Sequence, residues 1–126
     1  MNQGAHSADK RTNERIAADF AVSLVEWAAG GGNGPVIEGR TVNVGSGGLS
    51  LTVEAPGPNA RPLERGRKYR LEFRLPTAET PVCCAAQVAW VLQGKGDKGR
   101  ATAGLMFLDL GPEDLEKISD YVEHRR

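Results

Sequence analysis

A chain of 126 residues and 13.5 kDa can hold one hydrophobic core and leaves no room for the several domains of most large enzymes. With 40% hydrophobic, 25% charged and 6% aromatic residues, 16 Gly and 7 Pro, its composition is that of a soluble domain rich in turns. Sixteen basic residues balance sixteen acidic ones, so no global field draws it to nucleic acid or anionic lipid, and any anion site must be local.

Residues 1–13 hold Gly, Ser, Ala, Asn and charges without periodicity, too polar to bury the apolar surface that ordering requires. A flexible arm over 1–13 is expected, leading into a single domain over 14–126. The arm has no apolar run of signal-peptide length, and no window approaches the roughly 18 apolar residues of a membrane span. A cytoplasmic location without membrane insertion is expected.

From Phe20 the pattern is two-fold, with Phe20, Val22 and Leu24 on one face, which argues for a strand. Residues 28–35, rich in Gly and ending in Pro35, make a loop. A second strand over about 36–43 turns through Gly45-Ser46-Gly47-Gly48 into a third, where Leu49, Leu51 and Val53 alternate with Ser50, Thr52 and Glu54. Pro56 and Pro58 remove backbone donors and end it.

The fourth strand places Tyr69, Leu71, Phe73 and Leu75 inward and Lys68, Arg70, Glu72 and Arg74 outward. The fifth covers about 82–92 with Val88 and Trp90 as its inward pair, and the sixth about 100–108 with Leu105 and Phe107 inward. Residues 94–99 supply the polar hairpin loop between them. A helix follows, with Pro112 in its first turn, Glu113 and Asp114 at the positive end of the dipole, and Leu115, Ile118 and Val122 as its apolar stripe. Short consecutive strands and one helix predict an all-β fold, a six-stranded antiparallel β-barrel with a C-terminal α-helix.

The inventory of reactive groups argues against an enzyme. Cys83 and Cys84 are adjacent, so on a strand they face opposite sides and do not bridge, and they lack the spacing and further ligands of a zinc site. The histidines, His6 and His124, fall in the arm and the last helical turn, where neither is held against a nucleophile or a metal. No catalytic residue, metal or cofactor is expected.

Two segments remain. Lys10-Arg11-Thr12-Asn13-Glu14-Arg15 puts three cations just before the first strand, in a chain where eleven of the sixteen cations are Arg. Guanidinium forks suit bidentate recognition of phosphate or base edges. Asn43-Val44-Gly45-Ser46-Gly47-Gly48-Leu49 has three glycines that let backbone N–H groups come close to a ligand. Taken singly, the first reads as a solvated charge run and the second as a hairpin turn.

In this order, on this strand pattern, the two segments resemble the ligand motifs of the PilZ domain family of bacterial cyclic di-GMP receptors, RxxxR and (D/N)xSxxG. Arg11 and Arg15 match the first motif; Asn43 and Gly48 match the ends of the second. The resemblance extends through Val88-Ala89-Trp90-Val91, the run from Gly104 to Leu110, and Pro112-Glu113-Asp114-Leu115, so it covers about residues 10–124. It implies a non-enzymatic receptor for cyclic di-GMP, which contacts Arg11, Arg15, Asn43 and Gly48, with Lys10, Gly45, Ser46 and Gly47 as further contacts. It also implies an effector protein, not identified by the sequence, and an output such as motility or exopolysaccharide control.

The chemistry of the residues agrees. Arg pairs with phosphate, bonds guanine O6 and N7 or stacks on the ring; Asn43 offers a carbonyl and an amide to a base edge; Gly48 allows backbone contact. One departure falls in the site: Gly45 stands where the motif has Ser, and Ser46, one position on, aims at the opposite face of a strand. A lost hydrogen bond lowers affinity by about threefold to a hundredfold. The alternative is a degenerate PilZ-like interaction module that does not bind cyclic di-GMP. A barrel that binds oligonucleotides is disfavoured, because the strand faces carry few stacking aromatics and the net charge is zero.

Overall fold

The computed structural model describes residues 15–27, 36–53, 63–93 and 100–125. The arm expected at 1–13, with Lys10 and Arg11, lies outside them, as do the loops expected at 28–35 and 94–99 and the proline turn at Pro56 and Pro58.

Seven strands and one helix follow in chain order: β1 (Arg15–Ala17), β2 (Ala21–Glu26), β3 (Val36–Gly45), β4 (Gly48–Val53), β5 (Lys68–Phe73), β6 (Val82–Gln93), β7 (Ala101–Asp109) and α1 (Pro112–Arg125). All pairings are antiparallel, in the order β3-β2-β5-β6-β7-β4, and β4 pairs back onto β3 to close the barrel. The expected barrel of six staves is therefore present. β1 was not anticipated. It continues the β2 stave along the same edge of β3, pairing Arg15 with Gly45 while Ala21 pairs with Arg40.

The gap between β1 and β2 is closed by Thr41. Its buried hydroxyl accepts from the Phe20 N–H at 3.0 Å and donates to the Phe20 carbonyl at 3.3 Å, and its own N–H donates to that carbonyl at 2.9 Å. Held this way, Phe20 stacks on Phe73 with ring centroids 5.6 Å apart and meets Tyr121 of α1 edge-on at 5.9 Å. One aromatic side chain thus joins the barrel core to the helix.

Alternation fills that core as expected: Val22 and Leu24, Leu49 and Leu51, Tyr69, Leu71, Phe73 and Leu75, Val88 and Leu105 are all buried. Each such side chain contributes about 1.5–3 kcal/mol. Phe107 is partly buried against the core and stacks on Phe73. Cys83 is exposed and Cys84 buried, on opposite faces and both free.

Two expectations need correction. Trp90 is 40% exposed, not inward. Val88 pairs with Leu105 and Trp90 with Gly104, so Ala89 is an extra residue; this bulge reverses the phase, turns Trp90 out and lets Val91 pack against the core. On α1 the buried stripe is Ile118, Tyr121 and Val122, a true i, i+3, i+4 set, while Leu115 is exposed because the first turn is not covered by the barrel. Lys117 anchors that turn by donating to the Pro81 carbonyl and to Asp114, both at 3.3 Å.

Candidate functional site

The outer face around the β3–β4 hairpin is formed by a second bulge. Along β3 the inward positions run 37, 39 and 41, and unbroken alternation would send Asn43 into the core. Thr41 pairs with Leu51 and Asn43 with Ser50, leaving Val42 as the extra, exposed residue. The phase therefore reverses, Val44 enters the core, and Asn43 stands on the outer face.

β1 then brings Arg15 alongside. It lies opposite Gly45, and its Nη1 donates to Asn43 Oδ1 at 3.4 Å. The guanidinium also reaches over the hairpin: a Cβ built on Gly48 would lie 3.2 Å from Arg15 Nη2. The same Cβ would collide with the carbonyl oxygen of Leu105 on β7, so Gly48 is what allows β4 and β7 to lie this close. The Phe107 N–H donates to the Gly47 carbonyl at 3.0 Å, which ties the hairpin to β7.

Across β4 the pairings Gly48 with Met106 and Ser50 with Gly104 carry the surface onto β7, and Trp90 on β6 pairs with Gly104. The Trp90 indole lies directly over Gly104, where any Cβ would clash with the ring. On this outer face, which we call the groove, Gly48 and Ser50 lie between a polar side of Arg15 and Asn43 and an apolar side of Met106 and of Trp90 seated on Gly104. Such a surface can hold a molecule with anionic and flat aromatic parts, by guanidinium pairing on one side and stacking on the other.

Of the residues expected to form the site, Arg15, Asn43 and Gly48 come together here, with Gly45 opposite Arg15. Ser46 and Gly47 form the hairpin turn between β3 and β4, and Arg11 and Lys10 lie outside the described residues. Trp90, Met106 and Ser50 were missed as groove residues. Alternation alone places Trp90 in the core, and only the bulge at Ala89, which the sequence does not mark, turns it outward.

A second concavity of about 500 Å³ begins one residue pair further along β3 and β4, lined by Asp19, Arg40, Thr52 and Arg100 among others. Arg40 is held there by Asp19, its Nε donating to a carboxylate oxygen at 2.7 Å and its Nη2 to the Asp19 carbonyl at 3.0 Å. Among the described residues no group of three or more His, Cys, Asp or Glu could hold a metal ion, and no helix is long and apolar enough to cross a membrane.

The PilZ domain family model matches residues 9–124. No curated protein matches the chain significantly by sequence. Among solved structures, the chain is similar to the Bacillus subtilis inhibitor of motility MotI/DgrA, with a TM-score of 0.70 and 19% identity over 88% of this chain and 48% of that one. It thus spans about half of that protein. It is also similar to the PilZ domain of YcgR from Escherichia coli, solved with c-di-GMP, with a TM-score of 0.62 and 15% identity over 88% of this chain and 86% of that one. PlzA of Borreliella burgdorferi, solved in complex with c-di-GMP, gives a TM-score of 0.59 and 9% identity over 98% of this chain and 56% of that one. At these identities the likeness is one of fold.

Proposed function

The chain belongs to the PilZ domain family, and on that premise we propose that it is a non-enzymatic cyclic di-GMP receptor, binding in the groove between Arg15 and Trp90. The observation that carries the reading is the meeting of Arg15, from the first motif, with Asn43 and Gly48, from the second, on one outer face. Arg15 faces a phosphate, the Asn43 amide reads a guanine edge, and Trp90 offers a ring face for stacking. Gly48 keeps the floor low enough for the nucleotide to approach the backbone.

In this reading Arg11 supplies the second guanidinium from residues 1–13, Lys10 adds charge, and Gly45, Ser46 and Gly47 line the hairpin end. The arm folds over the bound ligand, and the changed surface is presented to an effector protein in the cytoplasm that acts on motility or exopolysaccharide synthesis. Ordering the arm lowers the net affinity, because its conformational entropy is lost on binding.

The test is isothermal titration calorimetry with cyclic di-GMP, with GMP as control and Arg15→Ala alongside. Saturable heat with cyclic di-GMP is expected, with affinity about tenfold to a hundredfold weaker in the variant. The absence of heat at tens of micromolar protein would overturn the receptor and favour the alternative suggested by Gly45, a PilZ module that binds a protein without the nucleotide.

A further inference from the structure

Ser50 is a buried polar residue that the fold does not use. It is 2% exposed. It lies on β4 between Leu49 and Leu51, both fully buried in the core, so strand alternation aims its side chain at the outer face. Two neighbouring strands flank it there, with Asn43 directly opposite on β3 and Gly104 directly opposite on β7. Directly opposed residues share a face and lie about 5 Å apart at Cβ, so Ser50 stands beside the Asn43 amide and at the foot of the Trp90 ring.

Such a hydroxyl needs a partner, and this one has none among the described residues. Among the described residues the other buried polar side chain, that of Thr41, accepts from the Phe20 N–H and donates to the Phe20 carbonyl. Its backbone is paired in the sheet, but the Ser50 hydroxyl forms no hydrogen bond to any described residue. No fully buried side-chain oxygen or nitrogen among the described residues lacks a partner, so the Ser50 hydroxyl keeps its narrow access to the groove. A small, unbonded hydroxyl at the floor of a groove is poorly solvated and is fully satisfied only when something with polar edges lies on top of it.

We propose that Ser50 is a ligand-binding residue of this groove, whose hydroxyl hydrogen-bonds the polar edge of a purine base held between Asn43 and Trp90. The assignment rests on the receptor reading above and adds a contact to it from β4. It also provides a hydroxyl in a site where position 45, lacking a side chain, offers none. Serine suits the task because it both donates and accepts, and because a larger side chain at the floor would lift the base away from Asn43.

The experiment compares the intact chain with Ser50→Ala by calorimetric titration with cyclic di-GMP, and by thermal melting without ligand. Affinity should fall about threefold to tenfold, the worth of a hydrogen bond between neutral groups, with the melting temperature of the free protein unchanged. Equal affinity in the variant and the parent would overturn the role of Ser50 and leave the receptor standing. A clear fall in the melting temperature of the free variant would also overturn it, by showing that the hydroxyl serves the fold. No binding by the parent would overturn the receptor reading and the Ser50 contact together.

Discussion

Arg15 donates from Nη1 to Oδ1 of Asn43 at 3.4 Å, a long and exposed contact across 28 positions of chain. A hydrogen bond of that length in water contributes little to the fold, so the pair is free to be exchanged for a ligand. Arg15→Ala should leave the melting temperature of the free protein nearly unchanged. A bond from a charged donor is worth about 1.5–3 kcal/mol, so cyclic di-GMP affinity should fall about tenfold to a hundredfold. Calorimetric titration decides; unchanged affinity would remove Arg15 from the site.

The two floor glycines should respond differently to a methyl group. At Gly48 the obstacle is the backbone carbonyl of Leu105, which can move only if β4 and β7 separate. Gly48→Ala should cost about 1–3 kcal/mol of stability, read as a lower midpoint in denaturant. A midpoint equal to the parent's would mean that the β4–β7 contact is looser than the structure shows.

At Gly104 the obstacle is the Trp90 indole, an exposed side chain that can swing away. Gly104→Ala should therefore keep most of the stability and displace the ring from the groove. Base stacking is worth about 1–3 kcal/mol, so Gly104→Ala and Trp90→Ala should weaken cyclic di-GMP binding to a similar extent. Tryptophan fluorescence follows the parent's ring directly once Trp27, which stacks with Arg70 at 5.4 Å, is replaced by Phe. Parental affinity in Trp90→Ala would exclude Trp90 as a stacking platform, and parental quenching in Gly104→Ala would show that the added methyl leaves the ring in place.

The barrel was legible in the sequence because its inward residues alternate so regularly on β2, β4 and β5. The bulges were not, and they decide the site. A bulge adds one residue without changing local hydrophobicity, so Val42 and Ala89 gave no sign that the strand phase turns over beside them. For this reason Trp90 read as core. Asn43 was found through the spacing of its motif, although only the bulge at Val42 explains why it faces outward. β1 was missed since Arg15–Ala17 is too short to show a period, and its pairing depends on β3, far away in sequence. Leu115 misled because helical periodicity gives the face of a helix and says nothing of where the neighbouring barrel ends.

The adjacent thiols make a prediction about pH. Burial, reinforced by the charges of Asp114, Cys83 and Asp109, pushes the Cys84 thiol from its ordinary value of 9.0 up to about 12. Burial, with Glu72 and Asp114, also raises Cys83, which sits on the outer face. A group whose pKa is raised in the folded state favours folding while it is protonated, so this contribution is complete below pH 9 and is lost as pH rises from about 9 toward 12, where the unfolded chain ionises first. Denaturant midpoints measured across that window should fall for the parent and fall less for Cys84→Ala, whose lower starting stability does not affect the slope. At pH 7 both thiols should react slowly with an alkylating reagent, and Cys84 should react only on unfolding. Equal pH slopes for the two proteins, or fast alkylation of folded Cys84, would show that the β6 thiol is not held neutral by the core.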